Sequence, residues 1–301
     1  MRYAIDTDRR PGKFLILGSA SKELIRQSSE TLAGRIRYLE LTPFLLNEVS
    51  NLKDIAAYWL IGGYPPSFTA TEPKTSFDWR IDFIRDFLER DIPMFQPRVP
   101  PERIRRLWTM LGHTHGQLLN MASLAGAIGV QGPTIRSYID LLEGAFMVRR
   151  LAPYTANLKK RLVKSPKLYI RDSGVLHTLL NIPDRNALLG HPVYGASWEG
   201  FCIENIIARC RRTVQPSFFR TVRGAEIDLI LELGQSRIAV EFKSSSNAKP
   251  QRGFWSALED LNIKRAWIVT PTTESYPLHQ ARVTSLCDFL ESPENRDFIF
   301  R

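Results

Sequence analysis

Apolar and polar positions alternate most cleanly over residues 224–246, GAEIDLILELGQSRIAVEFKSSS. In its second half Ile238, Val240 and Phe242 fall on one side of a strand, and Ala239, Glu241 and Lys243 on the other. Gly234 supports a tight turn back to a first strand, where Asp228 falls on the side away from Ile227, Leu229 and Leu231. The pattern predicts a hairpin whose two polar faces coincide. Before it, a helix from about Ser197, with that serine as N-cap, carries Trp198, Phe201, Ile203, Ile206 and Ile207 over much of its circumference. After it come a helix from about Gly253 to Leu261 and a buried strand in RAWIVTP. That order suits a small mixed sheet flanked by helices.

The middle of the chain has a different rhythm. Residues from about Leu52 to Met110 read as helices broken at Pro65-Pro66, Pro73, Pro93, Pro97 and Pro100-Pro101. A short helix from about Ala122 to Ile128, a turn at Gly129 to Gly132, a second helix from about Pro133 to Glu143 and a strand from Phe146 to Leu151 follow. This is the outline of a winged helix-turn-helix, whose second helix presents Gln131, Thr134, Arg136 and Ser137 where such helices meet base edges. Such units also serve as plain connectors. At the start, Phe14 to Leu17 reads as a buried strand running into a helix from about Ser21, with a second strand from Ile36 to Leu41. Two strands do not make a parallel sheet, and the exposed edge they leave invites self-association.

Composition narrows the class. The chain has 301 residues, 44% apolar and 24% charged, as in ordinary globular proteins. It shows no apolar run of bilayer-spanning length, so no membrane partner is expected. Cys202, Cys210 and Cys287 have no paired spacing, which points to a reducing cytoplasm. Net charge is +10, and an acid-free block holds Arg149, Arg150, Lys159, Lys160, Arg161, Lys164, Lys167 and Arg171. Such a block neutralises phosphates and makes DNA the expected partner, unless it is only a solvated face. Lys159, Lys160, Arg161, Lys164, Lys167 and Arg136 are the candidate nucleic-acid contacts.

The hairpin carries the candidate chemistry. Asp228 and Glu241 together offer hard oxygen ligands to Mg²⁺ or Mn²⁺, which would activate water against a phosphodiester. Lys243 would position that water and offset charge developing on the phosphorane-like transition state. Glu204, flanked by Ile203, Ile207 and Ala208, is a near-buried carboxylate in need of a partner and the candidate fourth member. The plain alternative is a solvated strand face, because a lone acid followed by E-x-K is a short motif. Other residues read as structural: His113 and His115 lack a third ligand, Trp255 and Trp267 sit among apolar neighbours, and Tyr64 packs a turn.

These stretches resemble a known family. GKFLILGSAS, LAGRIRYLELTPF, FLERDIP, GQLLNMASLAGAIGV, NLKKRLVKSPKLYIRDSGVLH, SWEGFCIENII, FFRTVRGAEIDLI and VEFKSSS resemble, in order, prokaryotic AAA-type ATPases ending in a domain of unknown function with a restriction-endonuclease-like, PD-(D/E)XK core. The resemblance implies an α/β and α+β multidomain chain. Residues 1–50 would be part of the ATPase core, 51–101 a helical lid or linker, 102–156 the winged helix and 157–301 the nuclease-like domain. It implies catalytic positions at Glu204, Asp228, Glu241 and Lys243. Ser19 matches the residue ending the family's sensor strand, although a turn or helix-cap serine is the better reading in this chain. The family's phosphate-binding loop lies upstream of GKFLILGSAS, and no G-x-x-x-x-G-K-[ST] is present here. The chain is therefore expected to lack the front of the ATPase domain and not to turn over ATP. It reads as a DNA-associated, metal-dependent nuclease-like protein or, alternatively, as a non-catalytic module that binds nucleic acid or protein.

Overall fold

Proline sets where the helices of the N-terminal half begin. In the computed structural model, which describes residues 2–18, 34–155, 162–246 and 249–299, helices α1 (Arg2–Thr7), α2 (Leu46–Val49) and α3 (Ile55–Ile61) come first. Then α4 (Pro65–Thr69), α5 (Pro73–Asp86), α6 (Ile92–Phe95) and α7 (Pro101–His113) each carry proline in the first turn. In α4, α5 and α7 its fixed φ suits the helix start and its missing N–H costs nothing. Pro93, by contrast, lies within a helix that runs on from α5 through a π-helical turn at Phe87–Asp91. The prolines read as breaks are thus mostly starts.

Helices α8 (Met121–Ile128) and α9 (Gly132–Gly144) follow, separated by Gly129 in the left-handed region at φ 72°. Strand β1 (Val148–Leu151) then pairs antiparallel with β2 (Lys167–Ile170), Val148 opposite Ile170. Helix α10 (Ser173–Leu179) is capped by the Asp172 carboxylate, which accepts the Val175 N–H at 2.8 Å. It crosses α3 so closely that a Cβ on Gly174 would lie 2.1 Å from the Ile61 carbonyl oxygen. Helices α11 (Arg185–Leu189) and α12 (Tyr194–Arg209) lead into the main sheet. Ser197 does not begin α12. It lies inside that helix, fully buried, with Oγ between Trp59 and His177, because its hydroxyl finds partners there that solvent would otherwise supply.

The six-stranded sheet has the order β3 (Gln215–Arg220), β4 (Glu226–Leu233), β5 (Ser236–Phe242), β6 (Arg265–Val269), β8 (Ala281–Thr284), β7 (Tyr276–Leu278). Strands β3, β4 and β5 form an antiparallel meander. Helix α13 (Arg252–Leu261) makes the crossover that allows β5 and β6 to run parallel, and α14 (Leu286–Glu291) follows β8. Both faces of the sheet are covered. Leu229, Leu231, Ile238 and Val240 pack with α12 and the helical half, while Ile230 and Ala239 pack with Phe254 and Leu258 of α13. The chain is therefore mixed α/β, with a helical half laid against a mixed sheet.

The two strands expected near the start do not form. Phe14–Leu17 and Ile36–Leu41 lie in no sheet, and Leu15, Leu17 and Leu41 are more than four-fifths exposed. A parallel strand needs a hydrogen-bonding neighbour, and both sheets among the described residues are built from positions after 147. The helix expected from about Ser21 falls outside the described residues. Among the described residues, no helix is long and apolar enough to cross a membrane.

Candidate active site

The register of the hairpin brings its polar groups together. Leu229 pairs with Val240, which sets Asp228 alongside Glu241, and Asp228 Oδ2 accepts the Phe242 N–H at 3.1 Å. On the other side of β4 the pairing shifts. Ser217 lies opposite Ile230 but Phe219 lies opposite Ile227, so Phe218 alone spans Asp228 and Leu229. Two residues against one is a β-bulge, which re-aims side chains. As a result Ile227 does not share a face with Leu229 and Leu231: it packs with Ile230 under α13, and they pack on the α12 side. Strict alternation fails at the residue that carries the chemistry.

Asp228, Glu241 and Lys243 line one cleft of about 530 Å³, together with Lys167, Glu199 and Glu226. Lys243 Nζ donates to Glu241 Oε1 at 2.7 Å. Lys167 Nζ meets Glu199 Oε1 at 3.0 Å, Glu226 Oε1 at 3.0 Å and Asp228 Oδ1 at 3.3 Å. The Tyr169 hydroxyl donates to the same Glu199 oxygen. Glu241 Oε2 is buried without a hydrogen-bond partner, which is costly for a carboxylate.

Charge crowding follows from this geometry. Burial, then the charge of Asp228, raises the Glu199 carboxyl to about 7. The same two causes push Glu241 well above the usual carboxylate range. Burial works against the Lys167 ammonium, but Glu199, Tyr169 and Asp228 outweigh it and raise its pKa. Four carboxylates face two ammonium groups and the Arg220 guanidinium, which leaves the cleft one positive charge short, a deficit that a proton or a cation fills. Among the described residues, no three His, Cys, Asp or Glu side chains converge in the manner of a metal cage. Glu199, Glu226 and Asp228 converge on the Lys167 ammonium instead.

Glu204 lies elsewhere. Its carboxylate takes Arg149 on both oxygens and Arg171 Nε on Oε2 at 2.9 Å. Burial opposes its ionisation, yet Arg149 and Arg171 outweigh that and hold its pKa below the ordinary value. The partner it needs is this arginine pair, and the helix position facing the hairpin cleft belongs to Glu199. Replacing Glu204 by Ala leaves Arg149 without this carboxylate and Arg171 with Glu40 alone, and is expected to cost about 3 kcal/mol in urea unfolding. A loss below about 0.5 kcal/mol would assign the pair to the solvated surface.

The basic block is not an open face over its described residues. Arg150 pairs with Glu143 and, at 2.8 Å, with Asp140, and Arg149 and Arg171 hold Glu204. Lys167 is 3% exposed, its charge taken up by carboxylates, so it belongs to the cleft. A phosphate contact by Lys167 would have to break all three of those ion pairs. Lys164 and, on the first turns of α9, Arg136 are exposed. Ser19, Lys159, Lys160 and Arg161 lie outside the described residues. His115 is buried, with Nδ1 accepting the Ile170 N–H at 3.0 Å.

Three family models match consecutive stretches of the chain: an AAA domain over residues 1–50, Domain of unknown function (DUF8612) over 52–186 and Domain of unknown function (DUF4143) over 194–289. The matches support an AAA-like ATPase family with domains of unknown function. An uncharacterized protein of Mycobacterium tuberculosis and an uncharacterized protein of Mycobacterium bovis are each 43% identical to this chain over 292 residues. The alignment covers 96% of the chain and 65% of each relative, so the chain spans slightly less than two thirds of their length. No solved structure matches it. Glu199, Glu226, Asp228, Glu241 and Lys243 fall in the third matched stretch and Lys167 in the second, so two domains of unknown function build the cleft.

Proposed function

We propose that the cleft between α12 and the β4–β5 hairpin is a metal-dependent phosphodiesterase site acting on DNA, in a chain with a nuclease-like C-terminal domain and a winged-helix middle. The observation that carries this reading is the convergence of Asp228 and Glu241, with Lys243 on Glu241, beside a buried carboxylate oxygen that has no partner. The donor chemistry fits a hard divalent cation, although these side chains form no ready three-ligand cage: Asp228 with Glu241 or Glu199 would hold Mg²⁺ or Mn²⁺, two carboxylates at a time with waters completing the shell. Such an ion supplies Lewis-acid polarisation of phosphate and acidifies water. Lys243, half-buried at the end of β5, offsets negative charge gathering on the scissile phosphate. The Asp228 carboxylate is held in place by the Phe242 N–H, so its oxygens keep one orientation.

DNA as substrate is supported by the net charge of +10, by exposed Lys164 and Arg136, and by the order of helices α7, α8 and α9 followed by the β1–β2 pair. The cysteines Cys202, Cys210 and Cys287 are free, which suits a reducing cytoplasm. ATP turnover is not part of this reading, because the sequence holds no phosphate-binding loop.

The test is cleavage of end-labelled duplex, single-stranded and branched DNA with Mn²⁺, beside a chelator control. Metal-dependent product is the expected result. Salt-sensitive binding without product would favour a second reading, a non-catalytic DNA-binding module, which the neutralisation of Glu199 and Asp228 by Lys167 also suits.

A further inference from the structure

Lys167 reaches the cleft from outside the sheet that forms it. It stands on β2, in the two-stranded sheet. Side chains alternate along that strand, and Lys167, Tyr169 and the following Arg171 share one direction, with all three bonding carboxylates of α12. That side of the strand is laid along α12. Lys167 and Tyr169 bond Glu199, and Arg171 bonds Glu204 one and a half turns further on.

The ammonium then donates to Glu199 Oε1 and Asp228 Oδ1 and is ion-paired at 3.0 Å with a third carboxylate, Glu226. In effect the chain supplies its own monovalent cation where Glu199 and Asp228 meet. Glu226 is the third holder, half-buried, and its other oxygen lies 3.5 Å from Arg220 Nε. An ammonium that lets go of Glu199 and Asp228 still has Glu226 to hold it. Glu241, whose Oε2 has no partner, is the carboxylate in the cleft that Lys167 does not touch.

We infer that Lys167 is a built-in counter-cation that competes with a divalent ion for Glu199 and Asp228, the ion binding as the ammonium withdraws toward Glu226. The inference rests on the reading of the cleft as a metal site. It makes cation affinity a property of how closely β2 lies on α12. Through Arg149, which joins neighbouring β1 to Glu204, it ties the cleft to the unit that carries α8 and α9. The coupling is a competition between two cations for one pair of ligands, so it needs no change of fold.

The experiment is a calorimetric Mn²⁺ titration of the whole chain as wild type, Lys167→Gln and Lys167→Arg. Lys167→Gln is expected to bind roughly tenfold more tightly than wild type, and Lys167→Arg, which keeps the charge, no more tightly. Equal or weaker affinity in a folded Lys167→Gln overturns the inference and leaves the metal site standing. Should that variant not fold by circular dichroism, acetylation of the wild type read by mass spectrometry decides. Lys167 is then protected in chelator and modified at saturating Mn²⁺, and protection that persists at saturation overturns the inference. A wild type that binds no Mn²⁺ overturns both, because the inference requires competition and not exclusion.

Discussion

Replacing Glu241 by Gln is expected to abolish metal-dependent cleavage and, at the same time, to raise the melting temperature in chelator. Glu241 is 6% exposed, and burial together with Asp228 raises its pKa well above the usual range. In the unfolded chain the same carboxyl ionises near its ordinary value of 4.5. The native state therefore holds a proton that the unfolded state releases, so this group lowers stability as pH rises above that value. Glutamine keeps the shape of the protonated acid and removes the repulsion with Asp228. The salt bridge to Lys243 is lost, but Lys243 is partly exposed and such a contact is worth at most about 1 kcal/mol. Catalysis moves the other way, because an amide oxygen is a poor substitute for a carboxylate on a divalent ion. A fall of at least about a hundredfold in cleavage rate is expected. Stability gained where activity is lost marks a group retained for chemistry. A lower melting temperature with cleavage intact would make Glu241 a structural residue.

How much of this was legible depends on the range of the interactions. The hairpin was readable because its alternation and its turn are local, and so were α8 and α9, whose ends are set by Gly129 and Pro133. The bulge at Phe218 was not, since it depends on how β3 pairs with β4. The apolar neighbours of Glu204 in sequence single it out and leave Glu199 unmarked. Both are largely buried on α12, and what separates them is which partner faces each: Arg149 and Arg171 for Glu204, Lys167 and Tyr169 for Glu199. A signal for this was present in KLYIR, where Lys167, Tyr169 and Arg171 repeat at the strand period between apolar residues. Counted as part of a basic block, Lys167 and Arg171 look like surface. The Phe14–Leu17 run shows the converse limit, because composition can mark a strand but cannot provide the neighbour that completes it.

Acid should loosen the helical half through two buried histidines. His177 Nδ1 lies 2.8 Å from the Leu60 carbonyl oxygen, which can only accept, so Nδ1 carries the proton. Nε2 then accepts from Ser197 Oγ at 2.8 Å, and Ser197 Oγ accepts from Trp59 Nε1 at 2.9 Å. A second proton on Nε2 would set two donors against one hydroxyl oxygen. Burial is the main cause that lowers His177 to about 4, and burial followed by the charge of His177 lowers His115 to about 3. In the unfolded chain both titrate near 6.5. Below that value the unfolded state binds protons that the native state refuses, so stability is full above it and is lost as pH falls toward 4. Each histidine contributes a slope of up to about 1.4 kcal/mol per pH unit. Glu199 and Glu241 act in the opposite direction over part of the same range, so the total slope does not isolate the histidines. The difference between wild type and His177→Gln does. Urea unfolding in chelator from about pH 6 to pH 4.5 is expected to give a variant whose stability falls less steeply, by about one proton. Parallel curves would mean that His177 takes up its proton in the native state and that the Trp59–Ser197–His177 chain rearranges to admit it.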